Sequence, residues 1–244
     1  GGIVTFYRNR LGVSRYTHPA CDEYSLTPKL LDMIVQTFSQ ERGFAGVMDF
    51  EDLQELLYRY LYVTPNKAVQ DFVANRYKYI YLDEFQDTSE IQYEIIKFYA
   101  RGRLAINKGT SDSEEGLCKD LITHEPQGGK IVAIGDDDQC IYSWRGSMID
   151  VMCERFPADF KPEILTISRN YRCPSNILNP VISSITKNSK RYAKNLRSYK
   201  EGGEFYAYNF SSTKAMLANL EKQIDDDMQQ GRSVAIICRT NFDG

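Results

Sequence analysis

The 244-residue sequence predicts an α/β protein, with parallel sheets flanked by helices and a helical segment in front. Three observations predict it. Short apolar runs alternate with helical patterns through the second half, and such alternation needs crossover connections and hence parallel strands. Residues 1–75 carry helix start signals and apolar residues at helical spacing instead. Two apolar runs end abruptly in acid, "YIYLDEFQDTSE" at 79–90 and "KIVAIGDDDQ" at 130–139. In parallel α/β sheets, ligands gather beyond the carboxyl ends of the strands.

The elements follow in order. Thr27-Pro28 is an N-cap followed by proline at the first helical position, ahead of Leu30, Leu31, Ile34, Val35 and Phe38. Asp49 caps a second helix carrying Leu53, Leu56, Leu57 and Leu61, and Thr64-Pro65 repeats the start signal before Val69, Phe72 and Val73. These stripes are expected to be core. From Tyr77 the period changes. "KYIYLDEF" is a strand, and "SEIQYEIIKFYA" is a helix opened by Ser89 and Gln92 at capping-box spacing. "KIVAIGD" (130–136) and "EILTISRN" (163–170) are two more buried-strand candidates, and the helix "CPSNILNPVISSI" is interrupted by Pro180. "GEFYAYNF" (203–210) alternates as a strand does. The helix "STKAMLANLEKQIDDDMQQG" places Leu217, Leu220, Ile224 and Met228 on one face, with Gly231 as its stop. "SVAIICR" is the last apolar strand. The stretch 101–129 is long for a helix-to-strand connection and reads as an excursion, with one short helix at most. The organisation expected is a helical segment over 1–75, an α/β part over 76–162 and a second α/β part over 163–244.

Hydrophobic content of 42% and charged content of 26% are those of a soluble globular protein. No apolar run approaches the roughly 18–20 residues of a membrane span. Six cysteines are scattered without a CxxC pair, and two histidines add little, which argues against zinc and for reduced thiols in a cytoplasmic protein. A net charge of −3 gives no global sign of nucleic acid, although a groove needs only local positive charge and aromatic faces.

The chemistry sits in three motifs. Asp83 and Glu84 close the first strand, where successive side chains point different ways and take different jobs. One can hold Mg²⁺ while the other orients or deprotonates a water. Taken alone, the pair is a weak signal and reads better as a solvated turn with a helix-capping acid. "AIGDDDQCIYSWRGS" (133–147) ends the next strand with three aspartates and Gln139, a neutral amide able to sense a terminal phosphoryl group. Tyr142 and Trp144 offer flat faces for stacking bases, and Arg145 can pair with a phosphate or a carboxylate. In "LTISRNYRCPSNIL" (165–178), Arg172 follows a strand and precedes a helix, positioned to reach a transferring phosphoryl group, and Tyr171 can stack on a base. By itself "NYR" is an ordinary surface salt bridge. The basic run "KNSKRYAKNLRSYK" (187–200) reads as a solvated helix end and loop rather than a phosphate contact.

Together "LDEFQDTSEIQ", "GDDDQCIYSWRG" and "NYRCPSNIL" resemble motifs II, III and IV of the UvrD/Rep/PcrA-like superfamily 1 DNA helicases, in the family's order. "MDFEDLQELL" (48–57) is similar to a segment upstream of motif II in that family, and "VAIICRTN" to a strand of its second RecA-like domain. The resemblance implies parts of two RecA-like domains, with residues 1–75 belonging to a helical insertion in the first. It implies ATP and Mg²⁺ as cofactors, Asp83 serving Mg²⁺ and Glu84 activating water. Gln139 would contact the γ-phosphate, Tyr171 would stack on adenine, and Arg172 would act as an arginine finger. Tyr142, Trp144 and Arg145 would meet single-stranded DNA. The activity implied is ATP-driven 3′→5′ movement on single-stranded and partly duplex DNA, in repair or replication. Cys140 and Cys173 stand where serine is commoner in the family, and Ser143 where glycine is.

These acids expect a phosphate loop, G-x-x-x-x-G-K-S/T, and the 244 residues contain none. At Gly129-Lys130, His124 stands where the first glycine belongs and Ile131 where Ser or Thr does. The chain therefore reads as the middle of a helicase, inactive alone. A non-catalytic relative that binds nucleic acid or protein on the same scaffold is the alternative, although intact Asp83, Glu84, Gln139 and Arg172 speak for the enzyme.

Overall fold

The computed structural model describes residues 2–102 and 130–238, so most of the 101–129 excursion and the last residues of "VAIICRTN" lie outside the described residues. Residues 2–74 are helical: α1 (Gly2–Arg8), α2 (Pro19–Glu23), α3 (Pro28–Ala45), α4 (Phe50–Tyr58) and α5 (Lys67–Ala74). Thr27 accepts from the Leu30 amide and Pro28 takes the first helical position, as its sequence signal predicts. Asp49 and Asp52 close a reciprocal capping box on α4. Thr64 is not a cap. A π-helical turn, Arg59–Val63, continues α4 and ties the Thr64 N–H to the Arg59 carbonyl at 2.8 Å, so Asn66 caps α5 instead.

The chain divides into two compact units, Gly1–Ser168 with Ile182–Leu196, and Arg169–Val181 with Arg197–Gly244. In the first unit, β1 (Tyr79–Leu82) pairs in parallel with β2 (Lys130–Ala133), Leu82 opposite Ala133. Between them in sequence runs α6 (Glu90–Arg101), opened by the Ser89–Gln92 capping box. Leu61 and Val73 pack with Ile91, Ile95 and Phe98 of α6. A second cluster joins Phe85 and Tyr93 to Val151 and to Phe156 of α7 (Phe156–Phe160). A third holds Leu31 and Val35 of α3 against Tyr7 and Cys21. Only part of the expected stripe on α3 is core, because Leu30, Ile34 and Phe38 are exposed.

Buried charge fixes the helical segment. The Arg8 guanidinium is 2% exposed and meets Asp49 at 2.9 Å, Asp52 at 2.5 Å and Glu55 at 3.3 Å, while Arg42 pairs with the same two aspartates. A buried cation needs such partners, since desolvation otherwise outweighs any gain. "MDFEDLQELL" thus supplies the carboxylates that bind α1 and α3 to α4.

In the second unit, β3 (Arg169–Pro174) pairs in parallel with β4 (Arg197–Lys200), and a bulge lies between the paired Asn170 and Pro174. The helix α8 (Ser175–Ile185) carries Pro180 inside it, and α9 (Thr213–Gln229) ends before Gly231, whose φ of 70° serves the expected stop. Three expected strands differ from the structure. The ladder begins at Arg169, not 163, and β3 carries Tyr171 and Arg172 within it. Residues 163–168, 203–210 and 233–238 have apolar side chains but no ladder partner among the described residues, and a strand exists only through its pairing. Leu165, Ile167 and Ile237 are accordingly 82%, 84% and 93% exposed. On α9, Leu217 and Met228 are exposed.

Candidate nucleotide and nucleic-acid site

Asp83 and Glu84 leave β1 at the point where its neighbour also ends. The Ile134 N–H donates to the Leu82 carbonyl at 2.8 Å, and the Phe85 N–H donates to the Ile134 carbonyl at 2.9 Å. Phe85, 1% exposed, is drawn into the core against Phe156, with ring centroids 5.1 Å apart. That anchor turns the two residues before it outward. Both acids are exposed, and Glu84 adopts a left-handed backbone, φ 49° and ψ 44°. For a residue with a side chain this conformation costs of order 1–3 kcal/mol and persists only where surrounding contacts impose it.

Asp83, Glu84 and Asp87 are three carboxylates on one short turn, but among the described residues only Asp136, Asp137 and Asp138 bring their oxygens close enough together to form a metal group. Asp83 uses one carboxylate oxygen to accept from the Glu84 N–H at 3.0 Å. Asp87 Oδ1 is buried with no hydrogen-bond partner among the described residues, and burial, then the nearby Glu84 charge, pushes its carboxyl above the usual range. Carboxylate oxygens are the ligands a hard cation such as Mg²⁺ would take, and Asp83 at the strand end is the residue that would hold it.

The loop after β2 lies against this turn. Gln86 Oε1 accepts from the Asp136 N–H at 3.0 Å, and Gln139 Nε2 donates to Asp136 Oδ2 at 2.7 Å. The side chain of Gln139 is exposed at the rim. Asp136, Asp137 and Asp138 lie close enough together to suggest a metal group, yet Lys194 already fills it. Its ammonium meets Asp136 at 2.5 Å and Asp138 at 2.9 Å and also pairs with Asp137, while Arg191 grips Asp138 through two hydrogen bonds at 2.9 and 2.7 Å. Burial works to raise the Asp136 carboxyl, but bonds from Lys194 and Gln139 outweigh it and hold it below the ordinary value. At Asp138 the Arg191 bond, opposed by burial and joined by Lys194, has the same result. Burial lowers the Lys194 ammonium, and its bonds to the three aspartates outweigh that and raise it.

Part of the basic run is therefore an internal clamp, not a solvated loop. The chain at 182–196 returns to the first unit, with Lys190 on Asp150 at 2.6 Å and the Tyr192 N–H on Asp137 at 2.8 Å. A signal was present in the sequence: three consecutive aspartates after an apolar strand need counter-charge, and "KRYAK" supplies it.

Beyond Gln139 the loop turns outward. Trp144 is 51% exposed and Tyr142 38%, their ring centroids 6.4 Å apart, and the Arg145 guanidinium lies 5.2 Å from the Trp144 centroid. Among the described residues Arg145 makes no ion pair. Gly146 makes the turn possible, with φ 102° and the space of a Cβ taken by Asn9, 2.6 Å away. Ser147 then bridges to Ser89 and accepts at its carbonyl from Arg10 Nη2 at 3.2 Å.

In the second unit Tyr171 is 57% exposed beside Tyr199, centroids 5.1 Å apart. Asn170 Oδ1 accepts from the backbone N–H of both Arg172 and Cys173, at 2.9 and 2.8 Å, which braces the bulge and leaves the Arg172 side chain exposed. Asp83, Glu84, Gln139, Tyr142, Trp144 and Arg145 thus belong to one unit, and Tyr171 and Arg172 to the other.

Parallel strand ends that deliver an outward acid pair, a rim amide and an exposed aromatic pair define a RecA-type helicase fragment of the UvrD-like class. Residues 16–161 match the family model "UvrD/REP helicase N-terminal domain", and the chain belongs to that family. It is similar to DNA helicase II of Haemophilus influenzae, 31% identical over 85% of this chain and 25% of that protein. DNA helicase II of Escherichia coli is 30% identical over 85% of this chain and 26% of its own length. The ATP-dependent DNA helicase PcrA of Staphylococcus epidermidis is 30% identical over 98% of this chain and 30% of its own. The chain therefore spans about a quarter to a third of these relatives. Among the described residues no helix is long and apolar enough to cross a membrane.

Proposed function

We propose that the full-length protein is an ATP-dependent DNA helicase that couples hydrolysis to 3′→5′ movement along single-stranded DNA, in the cytoplasm and in repair or replication. The observation that carries this reading is Glu84, an exposed carboxylate held in left-handed backbone at the end of β1 and bonded to the β2 loop through Gln86. In this reading Asp83 holds Mg²⁺, which supplies charge neutralisation on the triphosphate. Glu84 takes the proton from the attacking water, and Gln139 contacts the γ-phosphate. Tyr171 stacks on adenine, and Arg172 offsets charge on the transferring phosphoryl group. Tyr142, Trp144 and Arg145 bind the DNA strand and sit on the same loop as Gln139, so occupancy at one end bears on the other.

The parts relate to each other through positioning. Phosphoryl transfer depends on placement and charge stabilisation, and a phosphate loop supplies much of both. The 244 residues contain no such loop, so the isolated chain is expected to hydrolyse ATP at no useful rate. The names of the relatives, DNA helicase II and PcrA, support the reading.

A strand-separation assay of the full-length protein tests it, on a duplex with either a 3′ or a 5′ single-stranded tail. ATP-dependent separation of the 3′-tailed duplex is expected, with little on the 5′-tailed one. DNA binding without ATP turnover would favour a non-catalytic relative instead.

A further inference from the structure

Gln86 is 3% exposed, deep for a polar side chain, and both ends of its amide are hydrogen-bonded. Nε2 donates to Glu84 Oε2 at 2.8 Å, and Oε1 accepts from the Asp136 N–H at 3.0 Å. A backbone N–H can only donate, so Asp136 decides which end of the amide faces β2 and turns the NH₂ group toward Glu84. Among the described residues this is the only side-chain hydrogen bond to the Glu84 carboxylate.

Gly135 carries the same constraint. A Cβ there would lie 2.6 Å from Gln86 Oε1 and 3.1 and 3.2 Å from the Phe85 and Gln86 backbone nitrogens. The β2 loop reaches the amide because residue 135 lacks a side chain. Asp136 then continues the line, since its carboxylate accepts from Gln139 at 2.7 Å. Three hydrogen bonds thus run from Glu84 through Gln86 and Asp136 to Gln139.

We propose that Gln86 is a positioning residue for hydrolysis. Its amide fixes one oxygen of Glu84, presents the other to the attacking water, and ties that orientation to the loop bearing Gln139. The inference rests on Glu84 as the base. In the step concerned, the water oxygen bonds to the γ-phosphorus as the bond to the β–γ bridging oxygen breaks. That electron pair leaves with ADP, and the water proton passes to the unheld Glu84 oxygen. A carboxylate free to rotate populates this geometry less often, and the loss falls on turnover rather than on nucleotide affinity.

Two substitutions in the full-length protein separate positioning from packing. Gln86→Met keeps length and volume but removes both hydrogen bonds. Gln86→Glu keeps an acceptor for the Asp136 N–H and replaces the donor facing Glu84 with an oxygen. DNA-stimulated ATP hydrolysis, KM for ATP and the thermal midpoint are measured for both, with Glu84→Gln in parallel. In both Gln86 variants kcat is expected to fall about tenfold or more while KM stays within about threefold, a pattern of lost transition-state rather than ground-state interaction. The thermal midpoint is expected to stay near that of the unsubstituted protein. Turnover near the unsubstituted rate in Gln86→Glu, with Glu84→Gln inactive, overturns the positioning role alone. So does a fall in kcat that comes with an equal rise in KM and a lost thermal midpoint. Full activity in Glu84→Gln overturns the reading of Glu84, and this inference with it.

Discussion

Trp144, the only tryptophan, keeps half its surface in solvent while Phe85, Tyr93 and Phe98 are buried. An aromatic side chain left out of the core beside an exposed Tyr142 and Arg145, which makes no ion pair among the described residues, has the makings of a stacking platform. Single-stranded DNA is expected to bind the chain with an affinity that falls as salt rises, because phosphate contacts release counterions. Trp144→Ala is expected to weaken that binding about fivefold or more, the lower end of what one stacked base contributes. A fluorescence-anisotropy titration at two salt concentrations checks this, and unchanged affinity in the variant removes Trp144 from the DNA path. At this scale the sequence located exposed side chains. Asp83, Glu84, Gln139, Trp144 and Arg145 all stand where an outward side chain can act. Gln86 was harder to see, since a glutamine between two acids gives no sign that its amide is buried and bridging.

The loop after β2 and the 182–196 segment form the element on which the site depends. Lys194 is 10% exposed at its side chain, and Asp137 and Asp138 are 2% and 4%. Removing the cation leaves two buried carboxylates with less counter-charge, so Lys194→Met is expected to cost about 3 kcal/mol at neutral pH. The dependence on pH has a defined sign. Asp136 and Asp138 have folded values below the ordinary 3.8, so their contribution is complete above that value and is lost as pH falls through the lower folded values. Lys194 is raised above 10.5, so its contribution is complete below that value and is lost as pH rises through the higher folded one. Urea unfolding from pH 5 down to about pH 2 is expected to show a shallower acid decline in Lys194→Met than in the unsubstituted chain. Equal slopes would deny the clamp its role. Helix starts were legible because capping is local, as at Thr27, Asp49 and Ser89. The lack of a ladder at 163–168, 203–210 and 233–238 among the described residues was not, because alternation reports which faces want burial and says nothing about a pairing partner. The clamp was missed for a related reason: the sequence shows both the three aspartates and the basic run, but that they meet across 58 residues is a tertiary fact.

Taken as a whole, the molecule places its candidate catalytic acids in the first unit and its candidate arginine finger in the second. The sequence divides at 163, whereas the second unit begins at Arg169, and the return of 182–196 to the first unit was hidden by its basic, solvent-like composition. The central claim is that Glu84 carries the proton from water in the hydrolytic step. The most direct test is the single-turnover rate of γ-phosphate release from DNA-bound full-length protein, unsubstituted and as Glu84→Gln, with nucleotide affinity measured alongside. The amide keeps the shape of the side chain but cannot accept the proton, so the chemical step is expected to slow by about 10²-fold or more while ATP binding changes little. Phosphate release by Glu84→Gln at the unsubstituted rate, with binding intact, would contradict the account.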